Sequence, residues 1–381
     1  MAADAGQLPV VAALPERAIA LHIGVHKTGS TSLQAALADA RGDLAAAGVL
    51  YPGSRTAHHG AALAAIGKAW GWRDRGGAVP SSGAFDRLVA SATAAPGRVI
   101  ISSEHFCEAD DAAASRIVER LGDDRTEVVI VLRNLADLLP SSWQQYLKYG
   151  VRATYPDWLR NTFEPPSERT ISPSFWKRND HGALVERWTR VAGPERVTVI
   201  VLEQVDRSAV FRTFAQLLGI DEEVLVSRMG LTSNRSMTAQ EAELLRRLNV
   251  ELRHALSWSE YERLIRAGAV VGLVEGRTPD AHEPRVHTPD WALDEAAVRG
   301  AASVRRIQAA GPRIIGDLSQ LSVRRPSSTA PDADLEIVPT AVALNALLSV
   351  VRESEREVRT KDLAKELARR VRGDLRRRLR R

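Results

Sequence analysis

The stretch from Arg17 to Leu37, RAIALHIGVHKTGSTSLQAAL, constrains the fold more than any other. Ala18 to Ile23 is a short apolar run. GVHKTGST then brings two glycines, a lysine and hydroxyls, and the residues from Ser32 onward read as a helix. A strand that passes through a glycine-bearing turn into a helix N-terminus cradles an anion. Unpaired backbone N–H groups and the positive end of the helix dipole converge there.

Spacing narrows the choice of anion. From Gly24 the pattern is Gly24-x-x-x-x-Gly29-Ser30-Thr31, close to the phosphate loop G-x-x-x-x-G-K-[ST]. The lysine is displaced: it is Lys27, inside the loop, and Ser30 stands after the second glycine. In nucleoside triphosphatases that lysine reaches the β- and γ-phosphates, so its position here argues against ATP or GTP hydrolysis in the usual manner. A shorter phosphate-like group held deeper in the turn fits better, with Lys27 and three successive hydroxyls (Ser30, Thr31, Ser32) around it.

Strands and helices alternate from this loop to Gly219. Short β-rich runs at 49–53 (VLYPG), 97–106 (GRVIISSEHF), 126–134 (TEVVIVLRN) and 196–202 (RVTVIVL) read as strands. Helical patterns at 111–121, 135–149, 181–192 and 208–218 lie between or after them. Pro140 inside 135–149 should kink that helix or fall in its first turn. This alternation predicts an α/β fold, a P-loop-like parallel sheet with helices on both faces. Such sheets bind ligands at the C-terminal ends of their strands, where Gly24, Glu104 and Arg133 all fall. Beyond Gly219 the pattern is helical at 238–256, in part of 259–268, at 291–310 and at 340–352. The stretches 275–290 and 323–334 read as loops.

Composition sets outer limits. The 381 residues, 44% hydrophobic and 26% charged, suit a globular protein with a large core. The single Cys107 excludes an internal disulfide and a cysteine-rich metal site. Residues 1–16 form a loose leader without signal-peptide character, and no run approaches the ~20 apolar residues of a membrane span, so a cytoplasmic protein is expected. The net charge of +5 is uneven. Residues 352–381 hold 13 Lys/Arg and 6 Asp/Glu, leaving 39 basic and 41 acidic residues elsewhere. The high pI therefore belongs to the tail, and no nucleic-acid partner is expected of the body. The adjacent His58 and His59 lie in an Ala-rich helical segment with Trp70 and Trp72 beyond it. No third ligand stands at helical or hairpin spacing, so no metal site is expected.

These residues together resemble the sulfotransferases that use 3′-phosphoadenosine 5′-phosphosulfate (PAPS), particularly the bacterial and carbohydrate-type branches. HIGVHKTGSTSLQ is similar to that family's 5′-phosphosulfate loop. VVIVLRNLADLLPSSW is similar to its 3′-phosphate motif, a strand-terminal arginine followed eight residues later by a helical serine, here Arg133 and Ser141. SSEHF resembles the strand end that bears the catalytic base in carbohydrate sulfotransferases, and Asn234-Arg235-Ser236 is a weaker echo of a segment that closes over the nucleotide. The resemblance covers residues 17–255, with 256–335 as a helical and loop extension completing the domain and 336–381 as a basic helical tail.

The resemblance implies sulfuryl transfer from PAPS to a hydroxyl or amine of a carbohydrate, glycolipid or other small-molecule metabolite, with no metal required. Lys27, Thr28, Gly29, Ser30, Thr31 and Ser32 would hold the phosphosulfate, and Arg133, Ser141 and Arg235 the 3′-phosphate side. Arginine suits the second anion because its guanidinium bonds phosphate bidentately. Glu104 is the expected base, with His105 in reserve. On a strand, neighbours face opposite ways, so one of the two should point into the site. His26 stands where the family has proline, and a tolerated surface substitution is the simpler account. The alternatives are a P-loop kinase or NTPase and a non-catalytic polyanion-binding or membrane-surface protein.

Two regions stay open at this level. Tyr146, Lys148, Tyr149, Arg152 and Trp158 suit a substrate wall for a sugar or anionic glycan, and equally a packing seam. In the tail, Leu363, Leu367, Val371, Leu375 and Leu379 recur every four residues among arginines. Such a basic amphipathic segment suits an anionic membrane surface, a polyanion, a partner, or a solvated terminus.

Overall fold

The computed structural model describes residues 11–202, 206, 208–230, 235–327 and 338–355. Among them, β1 (Ile19–Gly24), β2 (Val49–Leu50), β3 (Arg98–Ser102), β4 (Thr126–Leu132), β5 (Val197–Val201) and β6 (Arg313–Ile315) form one sheet in the order β2-β3-β1-β4-β5-β6. Every pairing is parallel. The strand β6 corrects the helical reading beyond Gly219. Its three residues are too few to carry a period-two signal, and pairing with Thr198–Ile200 of β5 defines it instead.

The helices that position the site are α1 (Ser30–Asp39), α2 (His59–Ala65), α3 (Gly83–Ala94), α4 (Asp111–Leu121), α5 (Leu135–Leu147), α6 (His181–Ala192), α7 (Ala209–Leu218), α8 (Ala239–Leu252) and α9 (Asp290–Ala310). The sequence limits 111–121 and 181–192 coincide with α4 and α6 because each follows an aspartate cap. Asp110 accepts from the N–H of Ala113 and Asp180 from that of Ala183. Helix α5 continues through Pro140 to Leu147.

Alternation along the strands feeds two cores, one on each face of the sheet. Leu21, Ile23, Ile101, Val128, Ile130 and Val199 pack with α3, α4 and α6, while Ala20, Ile100, Val129, Val131 and Ile200 pack with α1 and α7. A third, aromatic core joins α5, α8 and α9 through Leu139, Trp143, Trp158, Tyr261 and Leu293. Against this helical part lies a helix spanning 340–355, which buries Val342 and Ala346 beside Ala269 and Leu273. Gly268 and Gly272 allow that approach, since a Cβ on Gly272 would lie 2.4 Å from the carbonyl oxygen of Asn345. Residues 1–10, Asn234 and the tail from 356 lie outside the described residues.

Candidate active site

The loop after β1 is shaped by three backbone positions. At Gly24 a Cβ would lie 2.2 Å from Ser30 Oγ and 3.1 Å from His22 Nε2, so the absent side chain leaves room for the Ser30 hydroxyl against the strand end. Lys27 has φ of 72° and Gly29 of 81°, both left-handed. For a lysine this is an unfavourable conformation, of the kind found where backbone N–H groups are turned toward a ligand. Thr28 Oγ1 donates to the carbonyl of Val25 at 2.7 Å, and Thr28 and Ser30 are buried while Thr31 is exposed. The Lys27 ammonium makes no hydrogen bond or ion pair among the described residues. Burial lowers its pKa, Glu104 pulls the other way, and Arg133 adds to the lowering.

Arg133 ends β4 beside this loop, its Nη1 donating to the carbonyl of Lys27 at 3.4 Å. Its Nε lies 3.8 Å from Asp137 Oδ2, and Arg325 reaches the same carboxylate at 3.0 Å. The segment carrying Arg325 is held at the N-terminus of α5 by Asn134, whose Nδ2 donates to the carbonyls of Gln320 and Val323. Ser141, two turns along α5, donates to the carbonyl of Leu138 at 3.0 Å. Arg235 is engaged elsewhere: its guanidinium forms a two-point pair with the fully buried Glu241 and bonds the carbonyl of Leu273. It thus anchors the entry to α8.

The end of β3 departs from expectation. The strand stops at Ser102, and Glu104 and His105 lie in a 3₁₀ turn, Glu104–Glu108. The alternation argument therefore does not apply, and both side chains reach one cluster: ligand-type atoms of His59, Glu104 and His105 lie within 4.8 Å of one another. A second such group is His26, His105 and Glu108. Helix α2 delivers His59, whose Nδ1 lies 3.6 Å from Glu104 Oε2. The fold thus supplies the neighbours that spacing around His58 and His59 did not reveal.

His26 is also corrected: it is part of this cluster, with its Nε2 3.8 Å from Glu108 Oε1 and its ring edge-on to that of His105. Glu108 is buried against Lys68 and against Arg178 at 3.1 Å. Two cations already neutralise this carboxylate, so a dication placed there would meet positive charge on two sides.

Electrostatics separate the two glutamates from the imidazoles. Burial pushes the Glu104 carboxyl up, and the imidazoles of His59, His26 and His105 more than reverse this, to about 2. Burial, with the nearby Arg178, brings His26 down to about 4. At neutral pH Glu104 is therefore ionised beside a neutral His26. Gln34, on the buried side of α1, orients the carboxylate: its Nε2 donates to Glu104 Oε2 at 3.2 Å and to Ser102 Oγ at 3.1 Å. Ser102 Oγ in turn lies 2.8 Å from Nδ1 of the buried His22, its register partner across β1 and β3. Sequence reasoning missed Gln34, Glu108, Lys68 and Arg178, since nothing in their spacing marks a buried polar side chain.

The neighbouring wall belongs to the first open region. Trp158 is wholly buried against Phe175 and Tyr155, which makes it packing, and Arg152 is exposed. Tyr149, half-buried, belongs to an aromatic cluster. With Trp70 and Trp258 it surrounds Arg266, whose guanidinium carbon lies 4.5, 5.0 and 5.5 Å from the three ring centres in that order. Trp70 in turn lies edge-on to His105. Arg266 sits in a π-helical turn, Glu262–Ala269, a rare conformation enriched at functional sites. Burial, then Lys27 and Arg266, brings Lys148 down to about 8. The cluster beside His105 is thus aromatic and cationic.

No helix among the described residues is long and apolar enough to cross a membrane. No protein-family model matches the chain, and no curated protein matches it significantly. Among solved structures, a sulfotransferase from Alicyclobacillus acidocaldarius is similar in overall course, with a TM-score of 0.45 and 16% identity over 77% of this chain and 95% of that one. So distant a likeness carries no argument about function, which rests on the site itself.

Proposed function

We propose that the chain is a sulfotransferase that moves a sulfuryl group from PAPS to a hydroxyl or amine of a carbohydrate, glycolipid or other metabolite. The observation that carries this reading is the convergence of Lys27, Arg133 and Glu104 at one sheet edge: a cationic loop, a second cation for a second anion, and an ionised carboxylate beside them. The left-handed Lys27 and Gly29, with the N-terminus of α1 directly after them, fit a tetrahedral anion in the loop. When bound, PAPS supplies the activated sulfuryl group and a nucleotide leaving group.

The chain's own residues then have distinct tasks. The N–H groups of residues 28–31 and the hydroxyls of Thr28, Ser30, Thr31 and Ser32 hold the loop anion. Lys27 neutralises charge growing on the departing oxygen. Arg133 turns from the Lys27 carbonyl toward the 3′-phosphate, and Ser141 rotates its hydroxyl away from Leu138 to join it. Glu104 takes the acceptor proton, and the donor's negative charge raises its otherwise low proton affinity toward a useful range. Arg235 contributes at a distance, by fixing the segment before α8. The buried, lone Cys107 fits a reducing, cytoplasmic setting.

The competing reading is a P-loop kinase or NTPase. Thermal shift and calorimetry with adenosine 3′,5′-bisphosphate against ATP–Mg²⁺ separate the two. The bisphosphate should bind tighter, and preference for ATP–Mg²⁺ would sink the sulfotransferase reading. Transfer of radiolabelled sulfate from PAPS onto cell-extract fractions then identifies the acceptor.

A further inference from the structure

The helix at 340–355 is apolar on two opposite faces. One face, with Val342, Ala346 and the half-buried Val350, packs on Ala269, Leu273, Leu244 and Leu248. The other carries Leu344, Leu347, Leu348 and Val351, exposed by 51%, 63%, 44% and 54%. Their spacing of i, i+3, i+4 and i+7 sets them in one stripe, turned about half a revolution from Val342 and Ala346. Most surface helices cover their outward face with polar groups, so four adjacent aliphatics there mark an interaction surface. The helix is held in this orientation by close packing over Gly268 and Gly272, so the stripe cannot roll inward.

We propose that this stripe docks the protein on an anionic lipid bilayer. Leu344, Leu347, Leu348 and Val351 enter the headgroup–acyl boundary, and the basic chain that follows contacts the headgroups. Charge selects this occupant. Residues 356–381 hold twelve Lys/Arg and four Asp/Glu, directly after the stripe. Each cation near an anionic surface contributes about 1 kcal/mol, and weak apolar insertion plus a polybasic segment is the two-signal combination that gives stable anchoring. A second copy fits less well. Four aliphatic side chains offer far less than the ~800 Å² per partner of a stable dimer, and docking would bring two strongly basic segments to one interface.

The test is flotation of the full chain with phosphatidylcholine vesicles, with and without phosphatidylglycerol, at low and high salt. The protein should float only with phosphatidylglycerol, and less at high salt. Leu347→Gln/Leu348→Gln should lower the partition coefficient about tenfold or more with an unchanged melting temperature. Arg376→Glu/Arg377→Glu/Arg378→Glu should abolish flotation. Three results overturn the proposal: no flotation with phosphatidylglycerol, flotation that the leucine substitutions leave intact, or a doubled mass by light scattering that the same substitutions remove. The measurement uses neither donor nor acceptor, so its outcome is independent of the sulfotransferase reading.

Discussion

Gln34 Nε2 donates to Glu104 Oε2 at 3.2 Å while also bonding Ser102 Oγ, so the helix that follows the loop after β1 holds the carboxylate just past the end of the neighbouring strand. The loop and the Glu104 carboxylate are thereby tied to each other by a single buried amide. Gln34→Leu should lower kcat for sulfate transfer roughly tenfold and leave bisphosphate affinity within about twofold. Gln34→Glu sets a second carboxylate against Glu104, so the acid limb of the pH–rate profile should move to higher pH. A Gln34→Leu enzyme with full kcat would remove this positioning role.

Glu104→Gln keeps the shape and removes the base. Turnover should fall by about 10²-fold or more with bisphosphate binding, followed by calorimetry, nearly unchanged. His105→Ala should cost less. If His105→Ala is the more damaging change, the base is the histidine.

Gly24→Ala places a methyl 2.2 Å from Ser30 Oγ, so the Ser30 hydroxyl must leave its place in the loop. Bisphosphate affinity should drop at least tenfold while the far-ultraviolet circular dichroism stays native, at a stability cost of about 1–3 kcal/mol. Unchanged affinity would mean the loop is not the anion site.

Glu108→Ala removes the counter-charge of Arg178 and Lys68 inside the protein. Leaving buried charge unpaired costs about 3–5 kcal/mol, which denaturant unfolding should register. Adding Arg178→Met should recover part of that loss. A silent Glu108→Ala would show that the cluster does not hold the β3 turn.

Stability should fall with acid in a defined window. Burial brings His22 and His181 from 6.5 to about 4. Between these values the unfolded chain binds protons that the folded one refuses, so each histidine's contribution is complete above pH 6.5 and is lost as pH falls toward 4. Melting temperatures should decline across that interval, and His22→Gln should flatten the slope. The glutamates with depressed pKa act lower, below about 4.5.

The reach of the sequence differs between elements for physical reasons. Strands β1, β3, β4 and β5 and helices α4 and α6 were legible because local patterns define them: buried β-branched runs, and an aspartate cap before an amphipathic stripe. Strand β6 was not, since three residues carry no period. Glu104 and His105 read as a strand end and lie instead in a 3₁₀ turn, because a short turn leaves no periodic signal in the sequence. The pairing of Arg235 with the buried Glu241, six residues on, could not be read from spacing, since it depends on the burial of that carboxylate.

By itself the sequence determined the parallel α/β architecture and the order of events at its edge: Gly24, Lys27 and Gly29 in one turn, then Glu104, then Arg133. These follow from local physics, in which glycine sets backbone freedom, alternation sets the sheet, and strand ends set the ligand edge. Only the tertiary structure decided what surrounds Glu104. His26, Gln34 and His59 come from three separate stretches of the chain, and His105 and Glu108 from the turn that carries Glu104; the imidazoles keep Glu104 ionised against its burial, and burial keeps His26 neutral. Their effect depends on distance and desolvation in three dimensions, and neither is written in the spacing along a chain.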